Sequence, residues 1–251
     1  TSSLERGGRV SGETDRPRIL LATDFSKWAL RAEEYACCLA ATWRATLTVL
    51  TVLEFPPGMN PEYPVNQVYL GELMKAGAKQ LVELKARASS RGIALHTRIA
   101  TGIPCEEVLA AVKAEDSDLV VVGTKGKSGL EHVLLGSTAE RVIRTAPCPV
   151  LTVRMDREEL LSGEAGACEG IRLNRILVPV DFSDCSLEAV EYAALMAQRH
   201  SAALTLLHVL EPVSYGLDFT LLHSEKREEM RERLTARLDA MTRALAEAKI
   251  Q

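Results

Sequence analysis

Short apolar runs alternate with helical stretches along most of the first 154 residues. The runs Arg18–Thr23 and Leu119–Val122 are segments of the kind that fills a parallel strand buried on both faces. Between such runs, apolar residues recur at helical spacing, as at Leu30, Ala36 and Leu39. Strands that alternate with helices predict an α/β fold in which a parallel sheet carries helices on both faces.

The predicted elements of this region are five strands joined by helical connections. The predicted strands are Arg18–Thr23, Thr46–Leu53, Ala94–Ala100, Leu119–Val122 and Val150–Val153. The longer predicted helices are Val68–Ser90 and Pro104–Ala114, and another helix follows Thr138. In open sheets of this kind ligands bind outside the carboxyl ends of the strands, where the strand order reverses.

The beginning of this pattern occurs twice in the chain. Residues 18–54 align without a gap with residues 175–211, at a constant offset of 157 and with 19 identities in 37 positions. Each copy has the tripeptide Asp-Phe-Ser directly after its first strand, with the aspartates at Asp24 and Asp181. The second copy continues with a β-rich run and a charged helix from Glu225 to about Lys249, and has no counterpart of strands three to five.

These features predict two domains of unequal completeness. We expect a flexible N-terminal segment at residues 1–16, a complete domain at 17–156, a linker at 157–171 and a partial second domain at 172–251. Two strands alone would leave unpaired edges and exposed apolar faces. Either the gene product is truncated, or the second copy packs on the first or on another subunit.

Composition narrows the classes of function. The chain has 251 residues, 47% of them hydrophobic and 25% charged, and can therefore bury one large or two modest cores. Its formal net charge of −4 argues against a general affinity for nucleic acid or for an anionic membrane. No apolar run reaches the ~18 residues of a membrane span, and the polar N-terminal stretch lacks the core of a secretion signal, so we expect a cytoplasmic protein. The six cysteines form no Cys-x-x-Cys pair and no histidine stands at ligand spacing, so no metal site is predicted.

The stretch from Gly123 to Thr138, between a buried strand and a helix start, has the features of a phosphate-binding loop. Gly123 and Gly126 lack a Cβ atom, so the backbone can adopt positive φ and a ligand can approach its N–H groups. Gly136 and Ser137 lead into a helix, whose first N–H groups and dipole favour an anion.

This stretch has two other interpretations. Gly126-Lys127-Ser128 imitates the end of a P-loop, but Val121 stands where that motif requires its first glycine, and the P-loop is rejected. The other is a glycine-rich surface turn followed by an ordinary helix cap.

The spacing of Gly123, Gly126, Gly136 and Ser137 resembles the nucleotide motif of the universal stress protein family. In that motif a glycine, two residues, a glycine, nine residues, a glycine and then serine or threonine follow the fourth strand, and all four fixed positions match here. The resemblance covers residues 18–154 and the first half of a second domain. It implies a Rossmann-like, nucleotide-binding domain with an open parallel five-stranded sheet whose first and fourth strands are adjacent, duplicated with the second copy incomplete.

The resemblance also implies the residues of an adenine-nucleotide site. Asp24 would accept hydrogen bonds from the adenosine part of the ligand, while Ala22, Thr23 and Val52 would line the adenine pocket. The phosphates would contact Gly123, Thr124, Lys125, Gly126, Gly136, Ser137 and Thr138. The resemblance implies no catalytic residue.

The function implied is ATP binding with a regulatory or survival role under stress, with AMP or ADP as other ligands and with or without Mg²⁺. A slow ATPase or phosphotransfer enzyme is one alternative, although Lys125 and Glu131 are more simply solvated loop residues. A dimeric scaffold that binds no ligand is the second alternative, and the intact motif argues against it. Because the second copy has Asp181 but no glycine motif, we expect one nucleotide per chain.

The resemblance finally implies how the chain associates. In the family the fifth strand, here Val150–Val153, lies at the sheet edge and pairs with its counterpart from another domain. The second copy has no fifth strand that could serve as this counterpart within the chain. We therefore expect a homodimer.

Overall fold

The computed structural model divides the chain into two compact units, residues 1–171 and residues 172–251. No helix among the described residues combines the length and the apolar character that crossing a bilayer requires. The described residues are 16–54, 63–125, 135–154, 173–210 and 222–247.

The first unit alternates strands and helices throughout. Its strands are β1 (Arg18–Ala22), β2 (Thr46–Leu53), β3 (Leu95–Thr101), β4 (Leu119–Gly123) and β5 (Val150–Val153). Its helices are α1 (Ala29–Trp43), α2 (Pro64–Ser89), α3 (Pro104–Glu115) and α4 (Ser137–Thr145). The predicted α/β class is confirmed, and the five strands lie where the hydrophobic pattern predicted them to within one residue at either end.

The helix boundary that differs most from the sequence prediction is the start of α2. The helix expected to begin at Val68 begins at Pro64, four residues earlier. Proline suits the first helical position because its fixed φ is already helical and its missing N–H would have no partner there. The helix therefore starts at this proline.

All five strands are parallel, in the order β3-β2-β1-β4-β5. The expected adjacency of the first and fourth strands is confirmed, with Ala22 opposite Val122. On its other side β1 pairs with β2, where Ala22 lies opposite Leu50. The strand order reverses at β1 and β4, which makes their carboxyl ends the ligand-binding edge of such a sheet.

The sheet is buried on both faces, which explains why its strands are continuously apolar. Alternate residues of β1 contact different helices: Leu21 packs with residues of α1 and α2, whereas Leu20 packs with residues of α3 and α4. Both leucines are fully buried. The two halves of the core therefore meet only through the sheet.

The second unit contains the first part of the same pattern. Its elements are β6 (Arg175–Pro179), α5 (Asp184–His200), β7 (Ala203–Leu207) and α6 (Leu222–Glu247). Strands β6 and β7 form a two-stranded parallel sheet, and one of its faces packs on α5 and α6 through a cluster that includes Val178 and Met241. On the other face Leu177 is 60% exposed, although its counterpart in the first copy is the fully buried Leu20.

Because Leu20 is buried and Leu177 is exposed, replacing each of them with alanine should have unequal effects on the free energy of unfolding. Leu20→Ala should lower the free energy of unfolding of the first unit by about 2–5 kcal/mol, because it leaves a cavity under α3 and α4. Leu177→Ala should change that of the second unit by less than about 0.5 kcal/mol. Amide hydrogen exchange of β1 and β6, each compared with the parent, measures the two effects. Equal losses of protection in the two strands would contradict the assignment of the two sheet faces.

Candidate functional site

The carboxyl ends of β1 and β4 bring together two sequence features that are about a hundred residues apart. Asp24 follows β1 by two residues, and Gly123 is the last residue of β4. Because these strands are paired in register, both features lie at the edge where the strand order reverses. This edge is the candidate site.

Asp24 lies in a tight turn that its own side chain stabilises. The Ser26 N–H donates to Asp24 Oδ1 at 2.9 Å, and Phe25 between them has a left-handed φ of 56°. The Ser26 hydroxyl oxygen in turn accepts from the Ala29 N–H at 3.2 Å, at the start of α1. The turn therefore places the half-buried carboxylate at a defined position after β1.

The second unit forms the same turn. The Ser183 N–H donates to Asp181 Oδ1 at 2.9 Å, and Phe182 has a φ of 65°. The Ser183 hydroxyl also donates to this carboxylate, and these hydrogen bonds lower the pKa of Asp181 to about 2. The turn is thus a local property of the Asp-Phe-Ser sequence, and it forms in the copy that carries no glycine motif.

The protein neighbours of Gly123 leave little room for a side chain. A Cβ atom at this position would lie 3.3 Å from the backbone oxygens of both Trp28 and Lys125. The expectation that Gly123 uses positive φ is wrong, because among described glycines positive φ occurs at Gly92 and Gly102. The absence of a side chain lets the start of α1 approach the end of β4.

The loop between β4 and α4 is closed at its base by backbone hydrogen bonds of Thr124. The Thr124 N–H donates to the carbonyl of Val153 at 3.0 Å, and the Gly136 N–H donates to the carbonyl of Thr124 at 2.7 Å. Thr124 and Gly136 thus meet beside the end of β5. Gly126 lies outside the described residues.

The start of α4 offers donors next to this closure. Gly136 is the N-cap residue, with φ −73° and ψ 154°, and the Glu140 N–H makes the first helical bond to its carbonyl at 2.9 Å. The N–H groups of Ser137, Thr138 and Ala139 therefore have no carbonyl acceptor within the helix. A Cβ at Gly136 would lie 3.5 Å from the Thr124 oxygen, an ordinary contact, so the folded backbone tolerates a side chain there.

The expected adenine-lining residues separate into two kinds. Ala22 and Val52 are half-buried on the α3 and α4 side of the sheet, where Leu135 also packs. Thr23 is buried and its polar groups are engaged within the protein: its N–H donates to the Leu50 carbonyl and its hydroxyl to Glu33. The Thr23 hydroxyl therefore serves the protein interior, and any contribution of Thr23 to a ligand site comes from its backbone.

Sequence reasoning missed a cationic cluster around Trp28. The ammonium groups of Lys27 and Lys125 each lie 5.1 Å from the centre of the Trp28 ring. This geometry is that of cation–π contacts, which link the start of α1 to the loop after β4. The sequence shows Lys27 and Trp28 directly after Asp-Phe-Ser, but no pattern in it indicated that Lys125 would also contact the Trp28 ring.

Within the described residues, no group of three or more His, Cys, Asp or Glu side chains is arranged to hold a metal ion. The polar groups at the candidate edge are instead one carboxylate, the first N–H groups of α4 and the lysines around Trp28. Such a combination suits a ligand that has both hydroxyl groups and anionic oxygens.

Comparison with known proteins shows to which family the chain belongs. The family model described as the universal stress protein family matches residues 16–154 and 172–251. The chain belongs to the universal stress protein family. The resemblance expected from the glycine spacing is therefore confirmed, and the two matched segments each include one copy of the Asp-Phe-Ser turn.

Curated relatives of this universal stress protein are similar over one or both segments. A universal stress protein of Methanocaldococcus jannaschii is 35% identical over 150 residues, which are 59% of this chain and 88% of that protein. One of Mycobacterium tuberculosis is 27% identical over 213 residues, which are 78% of this chain and 68% of that protein. A solved universal stress protein from Archaeoglobus fulgidus shares the fold, with a TM-score of 0.61 and 22% identity over 89% of this chain and 76% of that one.

The different roles of Gly123 and Gly136 can be tested by replacing each of them with serine. Gly123→Ser should lower the free energy of unfolding by about 1–3 kcal/mol, because its Cβ meets backbone oxygens that cannot easily move. Gly136→Ser should change it by less than about 0.5 kcal/mol, since serine is a preferred N-cap residue. Urea unfolding followed by tryptophan fluorescence measures both, because Trp28 and Trp43 lie in the first unit. A Gly136→Ser variant as unstable as Gly123→Ser would contradict these assignments.

Proposed function

We propose that the first unit binds an adenine nucleotide, with ATP as the main ligand and ADP or AMP as others, and that binding regulates the protein under stress in the cytoplasm. The observation that carries the proposal is the juxtaposition at the ends of β1 and β4. There the Asp24 carboxylate and the base of the loop that leads to the α4 N–H groups share one edge of the sheet. The family assignment supports the same function.

Each part of the nucleotide has a matching group in this proposal. The phosphates accept hydrogen bonds from the N–H groups at the start of α4, and Ser137, Thr138 and Lys125 add donors. Asp24 accepts hydrogen bonds from ribose hydroxyls. Apolar contact from Ala22 and Val52 covers the adenine ring, to which Thr23 contributes through its backbone.

The remaining motif residues have phosphate-binding roles in the same proposal. Gly123, Thr124 and Gly136 shape the base of the loop, and Gly126 lets the backbone approach the phosphates. Mg²⁺, where present, binds through the phosphate oxygens of the ligand and a few waters. The groups at the phosphate end are donors, whereas hydrolysis requires a group that orients the attacking water, so we propose binding with slow or no turnover.

Titration calorimetry with ATP tests the site through its duplicated aspartate. The parent should bind one ATP per chain. Asp24→Ala should weaken binding about tenfold to a hundredfold, because a charged hydrogen bond contributes about 1.5–3 kcal/mol.

Asp181→Ala is the matched control, since Asp181 makes the same turn hydrogen bond to a serine N–H. It should leave ATP affinity unchanged. Two equivalent sites in the parent, or equal losses in the two variants, would contradict a site confined to the first unit. Absence of binding in the parent would favour the scaffold alternative.

We also propose that the protein is a homodimer in which β5 of two chains pair about a two-fold axis. β5 lies at the edge of the sheet, opposite the other edge strand, β3. The carbonyls of Pro149 and Val153 accept hydrogen bonds from the β4 side, so the backbone groups of Val150 and Thr152 face outward by alternation. An outward row of unpaired groups is a template for another strand.

Two proline substitutions at the opposite edges test this dimer. Thr152→Pro removes an outward N–H of β5 without removing a bond to β4, and should convert the dimer to a monomer. Thr97→Pro does the same at the edge of β3 and should leave the dimer intact. Light scattering on each purified variant gives the oligomeric state. A monomeric parent would exclude the dimer, and a dimeric Thr152→Pro variant would exclude this interface.

A further inference from the structure

A carboxyl group is buried behind the Asp24 turn. Glu33 of α1 is only 3% exposed, and its Oε1 accepts a hydrogen bond from the Thr23 hydroxyl at 2.7 Å. Its Oε2 lies 3.5 Å from the Arg87 guanidinium of α2. Buried carboxyl groups are costly, so their presence calls for a physical reason.

The partners of Glu33 lead directly to the turn. The Thr23 oxygen that donates its proton to Glu33 accepts the N–H of Phe25 at 3.0 Å. Phe25 is the left-handed residue next to Asp24. Hydrogen bonds and an ion pair therefore run from Arg87 through Glu33 and Thr23 to the backbone beside Asp24.

The second copy forms the same turn over an apolar pair. At the offset of 157, Thr23 corresponds to Val180 and Glu33 to Val190. Both valines are buried in one apolar cluster, and the turn with Phe182 in the left-handed region forms nevertheless. The copy that carries the glycine motif thus has a buried hydroxyl and carboxyl where the other copy has two valines.

The surroundings of Glu33 raise the pKa of its carboxyl group above the ordinary value. Burial raises the pKa of Glu33, against the lowering effects of the Thr23 hydrogen bond and the Arg87 charge, and nearby Asp24 and Glu34 raise it further. The charged and titratable groups that face it come from the turn, from α1 itself and from α2: Asp24, Glu34, Cys37 and Arg87.

We propose that Glu33 is a positioning residue of the nucleotide site: the ionised carboxylate orients Thr23 and thereby holds the Asp24 turn, and protonation of Glu33 loosens the turn and weakens nucleotide binding. When ionised, Glu33 accepts only, so the Thr23 proton points to it and the Thr23 oxygen is available to Phe25. A protonated Glu33 becomes a donor, competes for that oxygen and loses its attraction to Arg87. This inference rests on the proposed function.

The test exchanges the pair for the one that the second copy contains. The variant Thr23→Val with Glu33→Val keeps the core apolar and filled, and Glu33→Gln provides a permanently neutral side chain that can still hydrogen-bond. ATP affinity of the full chain is measured by calorimetry between about pH 5 and about pH 8, a range wide enough for a raised carboxyl pKa. ATP and the other residues of the site are common to all three proteins, so the comparison isolates the effect of the Thr23 and Glu33 side chains.

Parent affinity should fall by about fivefold or more as the pH decreases through the Glu33 titration, relative to the double valine variant. Glu33→Gln should bind as weakly as the low-pH parent throughout. The amide ¹⁵N and ¹H shifts of Phe25, recorded without ATP, should titrate over the same interval in the parent and lose that transition in Glu33→Gln.

The pH dependence of stability gives a second readout. Because the folded pKa of Glu33 is raised, its contribution to stability is fully present below the unfolded pKa and is lost as the pH rises through the folded pKa. The double valine variant should therefore exceed the parent in stability most at neutral pH and least in acid. This readout checks burial of the charge, whereas the Phe25 and ATP titrations check positioning.

The outcomes separate this inference from the proposed function. Identical pH profiles of ATP affinity in the parent and the double valine variant would overturn the role of Glu33 while leaving nucleotide binding intact. A parent that binds no ATP would overturn the proposed function, and the Phe25 titration would then decide whether Glu33 sets the turn. A Phe25 amide that does not titrate in the parent would overturn the inference in either case.

Discussion

The parallel pairing of β1 with β4 is the interaction on which the rest of the first unit depends. It brings residues about a hundred positions apart into register, with Ala22 opposite Val122, so that Asp24 and Gly123 follow adjacent strand ends. It also fixes the approach of α1 to the end of β4, where a Cβ atom at Gly123 would lie 3.3 Å from the backbone oxygen of Trp28. If the pairing of β1 with β4 shifted by one residue, each side chain of the shifted strand would move to the opposite face of the sheet. Both faces are buried, so every one of these side chains would lose its packing partners.

The duplicated turn shows which features of the site depend on local sequence and which depend on the surrounding sheet. Asp-Phe-Ser folds into the same turn in both units, with Phe25 and Phe182 left-handed and a serine N–H on the aspartate in each. The difference between Asp24 and Asp181 lies in their surroundings, because in the first unit a paired β4 brings the glycine loop to the same edge. A sequence motif thus specifies a geometry, and the sheet decides whether that geometry becomes part of a site.

Much of this organisation could be predicted from the sequence, and the parts that could not depend on contacts between distant residues. Hydrophobic runs predicted the strands, and the glycine spacing predicted the family and the adjacency of β1 and β4. The cation–π contacts around Trp28 were missed, although Lys125 itself was expected in the site, because Lys125 reaches the ring from another loop. The burial of Glu33 did have a signal: it is four residues after Ala29 and three before Ala36, both buried, and so lies on the buried face of α1.

Stability alone does not explain why Glu33 is found on the buried face of α1. Replacing a buried charged group by apolar residues of similar volume is often neutral or stabilising, and Val180 with Val190 shows that this fold accepts such a pair. Glu33 is hydrogen-bonded to Thr23, and Thr23 accepts the N–H of Phe25. These two hydrogen bonds link the charge of Glu33 to the backbone conformation beside Asp24. Because departures from the locally most stable choice concentrate at functional sites, the contrast between the two copies favours a role for Glu33 in the site over a role in the core.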